Sequence, residues 1–173
     1  KTIGEVACDN KLGVLVKTIK DKSPRTEEFT IECNPGQVNS DMLKQLHGLG
    51  VNRLSLGAQS FNMEELKILG RTHNCEAIKK AVQMARQAGF KNISIDLIFA
   101  ICGSTLTTWQ ESLDKAIALN PEHISAYSLT LEKDTPLTKA IAQGKYNAID
   151  ESTDRAMYEQ AIETLAKAGY EHY

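Results

Sequence analysis

No two of the four cysteines, Cys8, Cys33, Cys75 and Cys102, stand close enough in sequence to make a C-x-x-C or C-x-x-x-C element. That argues against a zinc knuckle and against a vicinal redox pair. Free thiols point instead to a reducing, cytoplasmic compartment. No apolar run approaches the roughly 18–20 residues that a membrane span needs, and no secretory h-region opens the sequence. Neither charge sign is in excess: 20 Lys and Arg stand against 22 Asp and Glu. Without a basic stripe, nucleic-acid binding has little support. The densest basic grouping, Lys17, Lys20 and Lys22, is interrupted by Asp21 and reads as solvated surface. The first residue is Lys1 rather than Met, so further sequence is expected upstream.

What is present is an ordinary globular composition, 42% hydrophobic and 24% charged, over 173 residues. That is enough for one domain with its own core. The chain is organised as a repeat. Gly50-Val51-Asn52-Arg53-Leu54-Ser55-Leu56 and Gly89-Phe90-Lys91-Asn92-Ile93-Ser94-Ile95 are alike, and Asn120-Pro121-Glu122-His123-Ile124-Ser125-Ala126 is a looser copy. In each, a Gly or Asn-Pro stops a helix, a few residues turn the chain, and a strand begins. Strands are predicted over 29–33, 53–58, 93–98 and 123–129. Helices are predicted up to Gly48 with an N-cap at Ser40 or Asp41, then over 63–69, 75–88, 107–119, 137–143 and 151–167. Ile78, Ala81, Val82 and Ala85 recur at helical spacing, as do Trp109, Leu113, Ala116 and Ile117, so those faces should be core. Strand–helix alternation with short turns implies a parallel sheet, either doubly wound or barrel-like. Residues 168–173 repeat the 88–93 pattern, so the chain is expected to stop as another strand opens. Four strands do not close a parallel barrel. The fold class is therefore α/β, a partial (β/α) barrel truncated at both ends and forming one incomplete domain over 1–173.

In parallel sheets the active residues gather at the carboxyl ends of the strands. The polar residues predicted there are Glu32, Gln59, Asp96, Ser128 and Thr130. Thr30 and Glu32 share a face, as do Ser94 and Asp96, while Ile31, Ile95 and Leu97 point the other way. A carboxylate between Ile and Leu in a buried strand needs a partner, so Glu32 and Asp96 should be paired by side chains or by a ligand. Arg71, after Leu69-Gly70, is the matching cation, suited to a carboxylate ligand. The bland alternative is a closed salt network among these residues. The histidines, His73 among them, read as structural, since none pair at metal-ligand spacing. Cys102 has no flanking cation to activate it, Cys33 reads as a small core residue, and Gly103-Ser104-Thr105 is a weak candidate anion nest.

Ile31-Glu32-Cys33-Asn34-Pro35-Gly36, Asn52 through Phe61 in Asn-Arg-Leu-Ser-Leu-Gly-Ala-Gln-Ser-Phe, Leu69-Gly70-Arg71-Thr72-His73 and Ile95-Asp96-Leu97-Ile98 occur in order. Together they resemble the HemW/HemN family, oxygen-independent coproporphyrinogen oxidase-like proteins of the radical S-adenosylmethionine (SAM) superfamily. The resemblance covers about residues 28–173; residues 1–13 fit poorly. His123 through Glu132, His-Ile-Ser-Ala-Tyr-Ser-Leu-Thr-Leu-Glu, is similar to the heme-chaperone branch. The resemblance implies a radical SAM barrel in which Glu32, Gln59, Arg71 and Asp96 contact SAM. It also implies a [4Fe–4S] cluster whose ligands would lie upstream of Lys1, and heme or porphyrin as a further ligand, passed to respiratory proteins. The alternatives are an oxygen-independent coproporphyrinogen III oxidase and a non-catalytic (β/α) scaffold. Without cluster ligands this chain alone is expected to be inactive. Phe99-Ala100-Ile101-Cys102-Gly103 departs from the family's Tyr-Gly-Leu-Pro-Gly.

Overall fold

A computed structural model describes residues 11–23 and 25–173; Cys8 and most of the poorly matching stretch, 1–13, fall outside them. Helix α1, Lys11–Lys22, was not expected; buried Val16 anchors it, while Lys17 and Lys22 are exposed. Strand β1, Thr30–Cys33, leads to α2, Ser40–Gly48. The N-cap of α2 is Asn39 rather than Ser40 or Asp41: its backbone is extended, and its side-chain oxygen accepts the Met42 N–H. Next come β2, Arg53–Gln59; α3, Met63–Ile68; α4, Cys75–Gln87; and β3, Asn92–Phe99. The chain continues through α5, Leu106–Ile117; β4, His123–Ser128; α6, Pro136–Ala142; and α7, Glu151–Lys167.

The repeat seen in sequence is a repeated hydrogen bond. After α2 the Val51 N–H donates to the Leu46 carbonyl at 3.1 Å, after α4 Phe90 donates to Ala85 at 3.1 Å, and after α7 Tyr170 donates to Leu165 at 3.0 Å. The intervening Gly50, Gly89 and Gly169 have positive φ, which a Schellman-type helix stop demands and which glycine adopts without steric cost. Residues 170–173 follow this stop but carry no strand.

All four strands are parallel, in the spatial order β1-β2-β3-β4. The order never reverses, and the two faces of the sheet differ in chemistry. Ile31, Leu54, Ile93 and Ile124 lie on one side, joined by the pairings Ile31↔Leu54, Leu54↔Ile93 and Ile95↔Ile124. Leu54, Leu56, Ile93, Ile95 and Leu97 are fully buried there, in one core with Ile78, Ala81 and Ala85 of α4 and Leu113 and Ala116 of α5. Each such side chain contributes roughly 1.5–3 kcal/mol. Trp109 of α5 donates its indole N–H to the Met157 carbonyl at 2.9 Å, fastening α7 to the same layer. Residues between these point to the opposite face: Thr30 and Glu32, Arg53 and Ser55, Ser94 and Asp96, Ser125 and Tyr127. Parallel sheets are commonly apolar on both faces; here one face is polar.

Candidate functional site

The polar face holds a cavity of about 710 Å³, lined by residues from all four strands and from the segment after α3. Glu32, Gln59, Arg71 and Asp96 all line it, with Asn34, Ser55 and Tyr127 among the others. A hollow of about 800 Å³ along β4 and α7 is larger, but it contains none of the four. Lying off the strand ends, it is the weaker candidate.

Asp96 is half-buried, and the Ser55 hydroxyl on the neighbouring strand lies 3.0 Å from each of its carboxylate oxygens. Its expected side-chain partner is thus a hydroxyl. Glu32 departs from expectation: it is exposed, on the outermost of the described strands, where it lines the cavity from one side. It therefore bears no burial cost that a partner must offset. Among the described residues no ion pair joins Glu32, Arg71 and Asp96, so the closed salt network is not formed. Arg71 is exposed and owes its place to another Schellman-type stop: Gly70 has φ 66°, and the Arg71 N–H donates to the Leu66 carbonyl at 2.8 Å.

Gln59 sits where the β2–β3 register shifts, with φ 69°. Its side chain curls back over Gly57, where an added Cβ would come within 2.7 Å of the amide nitrogen. The Tyr127 hydroxyl donates to the Gln59 amide oxygen at 3.1 Å. Burial pushes the Tyr127 phenol above its usual range, the Asp96 charge adds to this, and the Arg71 charge opposes it. Tyr127 thus stays neutral at ordinary pH and within reach of the charges that line the cavity. Sequence reasoning picked out Ser128 and Thr130 at the end of this strand and missed Tyr127 and Ser125. The alternation His123, Ser125, Tyr127 against Ile124 and Ala126 was the available signal; Ser128 lies on the other side, bonded to Asp154 at 2.5 Å.

The remaining candidates are structural. Gly103-Ser104-Thr105 is no free nest: the Ser104 N–H donates to Ile101, and Thr105 and Thr108 form a capping box on α5. Cys33 and Cys102 are buried, and burial raises both thiols, Cys33 to about 12. Among the described residues no three His, Cys, Asp or Glu side chains gather as a metal site. Those cysteines, dispersed and protonated, do not fit an iron–sulfur cluster.

A polar cavity on one face of a parallel sheet, walled by β/α units, defines a barrel-type α/β protein. Residues 2–116 match the model of the radical SAM superfamily. The chain belongs to that superfamily. It is 40% identical over 147 residues to the heme chaperone HemW of Lactococcus lactis, a match covering 85% of this chain and 39% of that protein. It is 32% identical over 170 residues to the mitochondrial radical S-adenosyl methionine domain-containing protein 1 of Danio rerio, covering 97% of this chain and 38% of the relative. Among solved structures, coproporphyrinogen III oxidase (HemN) of Escherichia coli, described as a radical SAM enzyme, superposes with a TM-score of 0.76 at 27% identity. That superposition covers 93% of this chain and 37% of HemN. The chain spans about two fifths of the length of these relatives.

Proposed function

We propose that the cavity is a SAM site, and that the chain serves a HemW-type heme chaperone. The observation that carries this reading is the convergence of Glu32, Gln59, Arg71 and Asp96 on one cavity. The donor set suits the ligand: carboxylates take up an ammonium and ribose hydroxyls, an amide serves either, and a guanidinium forks onto a carboxylate. Bound SAM would supply a sulfonium for reductive cleavage. That step would draw an electron from a cluster, which the described cysteines do not fit. Heme transfer to respiratory proteins, and a cytoplasmic location, are proposed with the chaperone reading. Relatives named heme chaperones at up to 40% identity support it. Among the described residues no helix is long and apolar enough to cross a membrane.

The test is calorimetric titration of SAM into the chain. Saturable binding is expected, lost on Asp96→Asn and on Arg71→Ala. A folded wild-type chain that takes up no SAM would sink the reading. The likeness to HemN supports a second one, a coproporphyrinogen III oxidase. The full-length parent separates the two: transfer of bound heme marks the chaperone, and decarboxylation of coproporphyrinogen marks the oxidase.

A further inference from the structure

Gln59 occupies an unusual turn. The Ser60 N–H donates to the Ala58 carbonyl oxygen at 2.9 Å, closing a three-residue ring around Gln59, whose φ is 69°. A γ-turn of positive φ at a residue other than glycine is rare and strained. Such a residue persists only where its surroundings over-determine it.

His73 supplies those surroundings. It is buried, and its Nε2 lies 3.0 Å from the same Ala58 oxygen. A carbonyl oxygen accepts two hydrogen bonds and donates none, so the contact places the imidazole proton on Nε2. Nδ1 is then a buried acceptor with no partner among the described residues. A side chain kept only for packing would not carry that cost, which an apolar residue of the same size avoids. His73 also ties neighbouring segments together. It follows Arg71 by two residues, and a Cβ on Gly36, in the loop leaving Glu32, would come within 3.2 Å of the His73 Cβ.

We infer that His73 is a positioning residue for the cavity. Its Nε2–H braces the Ala58 carbonyl, which holds Gln59 in its strained turn and secures the segment bearing Arg71. Its consequence for binding rests on the SAM reading above.

Three chains test this: wild type, His73→Leu, which removes the donor, and His73→Gln, whose amide nitrogen can take the place of Nε2. SAM binding to His73→Leu is expected to weaken about tenfold, with His73→Gln recovering to within about threefold of wild type. The melting temperature of His73→Leu should stay near that of wild type, because the Ser60 N–H still satisfies Ala58. Wild-type affinity in a folded His73→Leu overturns the inference, as does a His73→Gln chain as weak as His73→Leu. Long-range proton–nitrogen spectra of the wild-type chain need no variant to fold: the Nε2–H tautomer is expected, and Nδ1–H overturns the brace. Should wild type bind no SAM, the cofactor reading falls alone. The Gln59 side-chain amide resonances then decide: they should move in His73→Leu and return in His73→Gln, and unmoved resonances overturn the brace.

Discussion

Ser55 and Asp96 face each other across adjacent strands, one hydroxyl serving two carboxylate oxygens at 3.0 Å. Ser55→Ala is expected to leave the chain folded and to weaken SAM binding several-fold, by calorimetry, because it unties Asp96. Gln59 gives the opposite balance. Gln59→Gly relieves a left-handed backbone that costs roughly 1–2 kcal/mol but discards the amide. Its melting temperature should not fall, while its SAM affinity should; a clear loss of stability would mean the turn is not strained. Much of this site was legible. Alternation within a strand sets Glu32 and Asp96 on the face opposite Ile31, Ile95 and Leu97, and the helix stop at Gly70 places Arg71. What was hidden depends on neighbours. Glu32 lies on the outermost of the described strands, and strand order is not written in any one segment. Tyr127 and Ser55 carry no charge to draw attention. His73 became legible only when its distance to Ala58 was known.

Helix ends and strand interiors hold these residues in place. Asn74 caps α4, its side-chain oxygen accepting the Ala77 N–H at 2.8 Å, just beyond the segment that carries Arg71 and His73. Asn74→Ala should cost about 1 kcal/mol in denaturant unfolding and loosen that segment. Within β1, the Cys33 thiol faces the core, and burial raises it from 9.0 to about 12. A raised thiol contributes stability that is complete below pH 9 and lost as pH climbs toward 12. The melting temperature should therefore fall across that interval. A thiol reagent should label Cys33 and Cys102 only as the chain unfolds; rapid labelling of the native chain would contradict their burial. Most elements were readable from apolar spacing and glycine stops, and their ends shifted by only a residue or two. Helix α1 was not, because its exposed Val14, Leu15 and Ile19 blur the amphipathic pattern around Val16.

At the scale of the molecule, the cavity proposed for SAM stands beside described cysteines that do not fit a cluster. The 173-residue chain with dithionite and SAM is expected to yield no 5′-deoxyadenosine, by chromatography. Its appearance would show that the described residues omit the redox centre. The expectation of an α/β fold, a partial (β/α) barrel, was met: the described strands form one parallel sheet in sequential order, and the chain superposes on a radical SAM enzyme. Core and cavity are interleaved along the same strands, alternate positions of each strand serving one and then the other. Substitutions therefore act on one side at a time and can accumulate gradually, whereas losing a single residue from the middle of β3 exchanges the two sides downstream, bringing Leu97 onto the ligand face and Asp96 into the oily layer. Such a sequence can drift in what it binds far more freely than it can change in length.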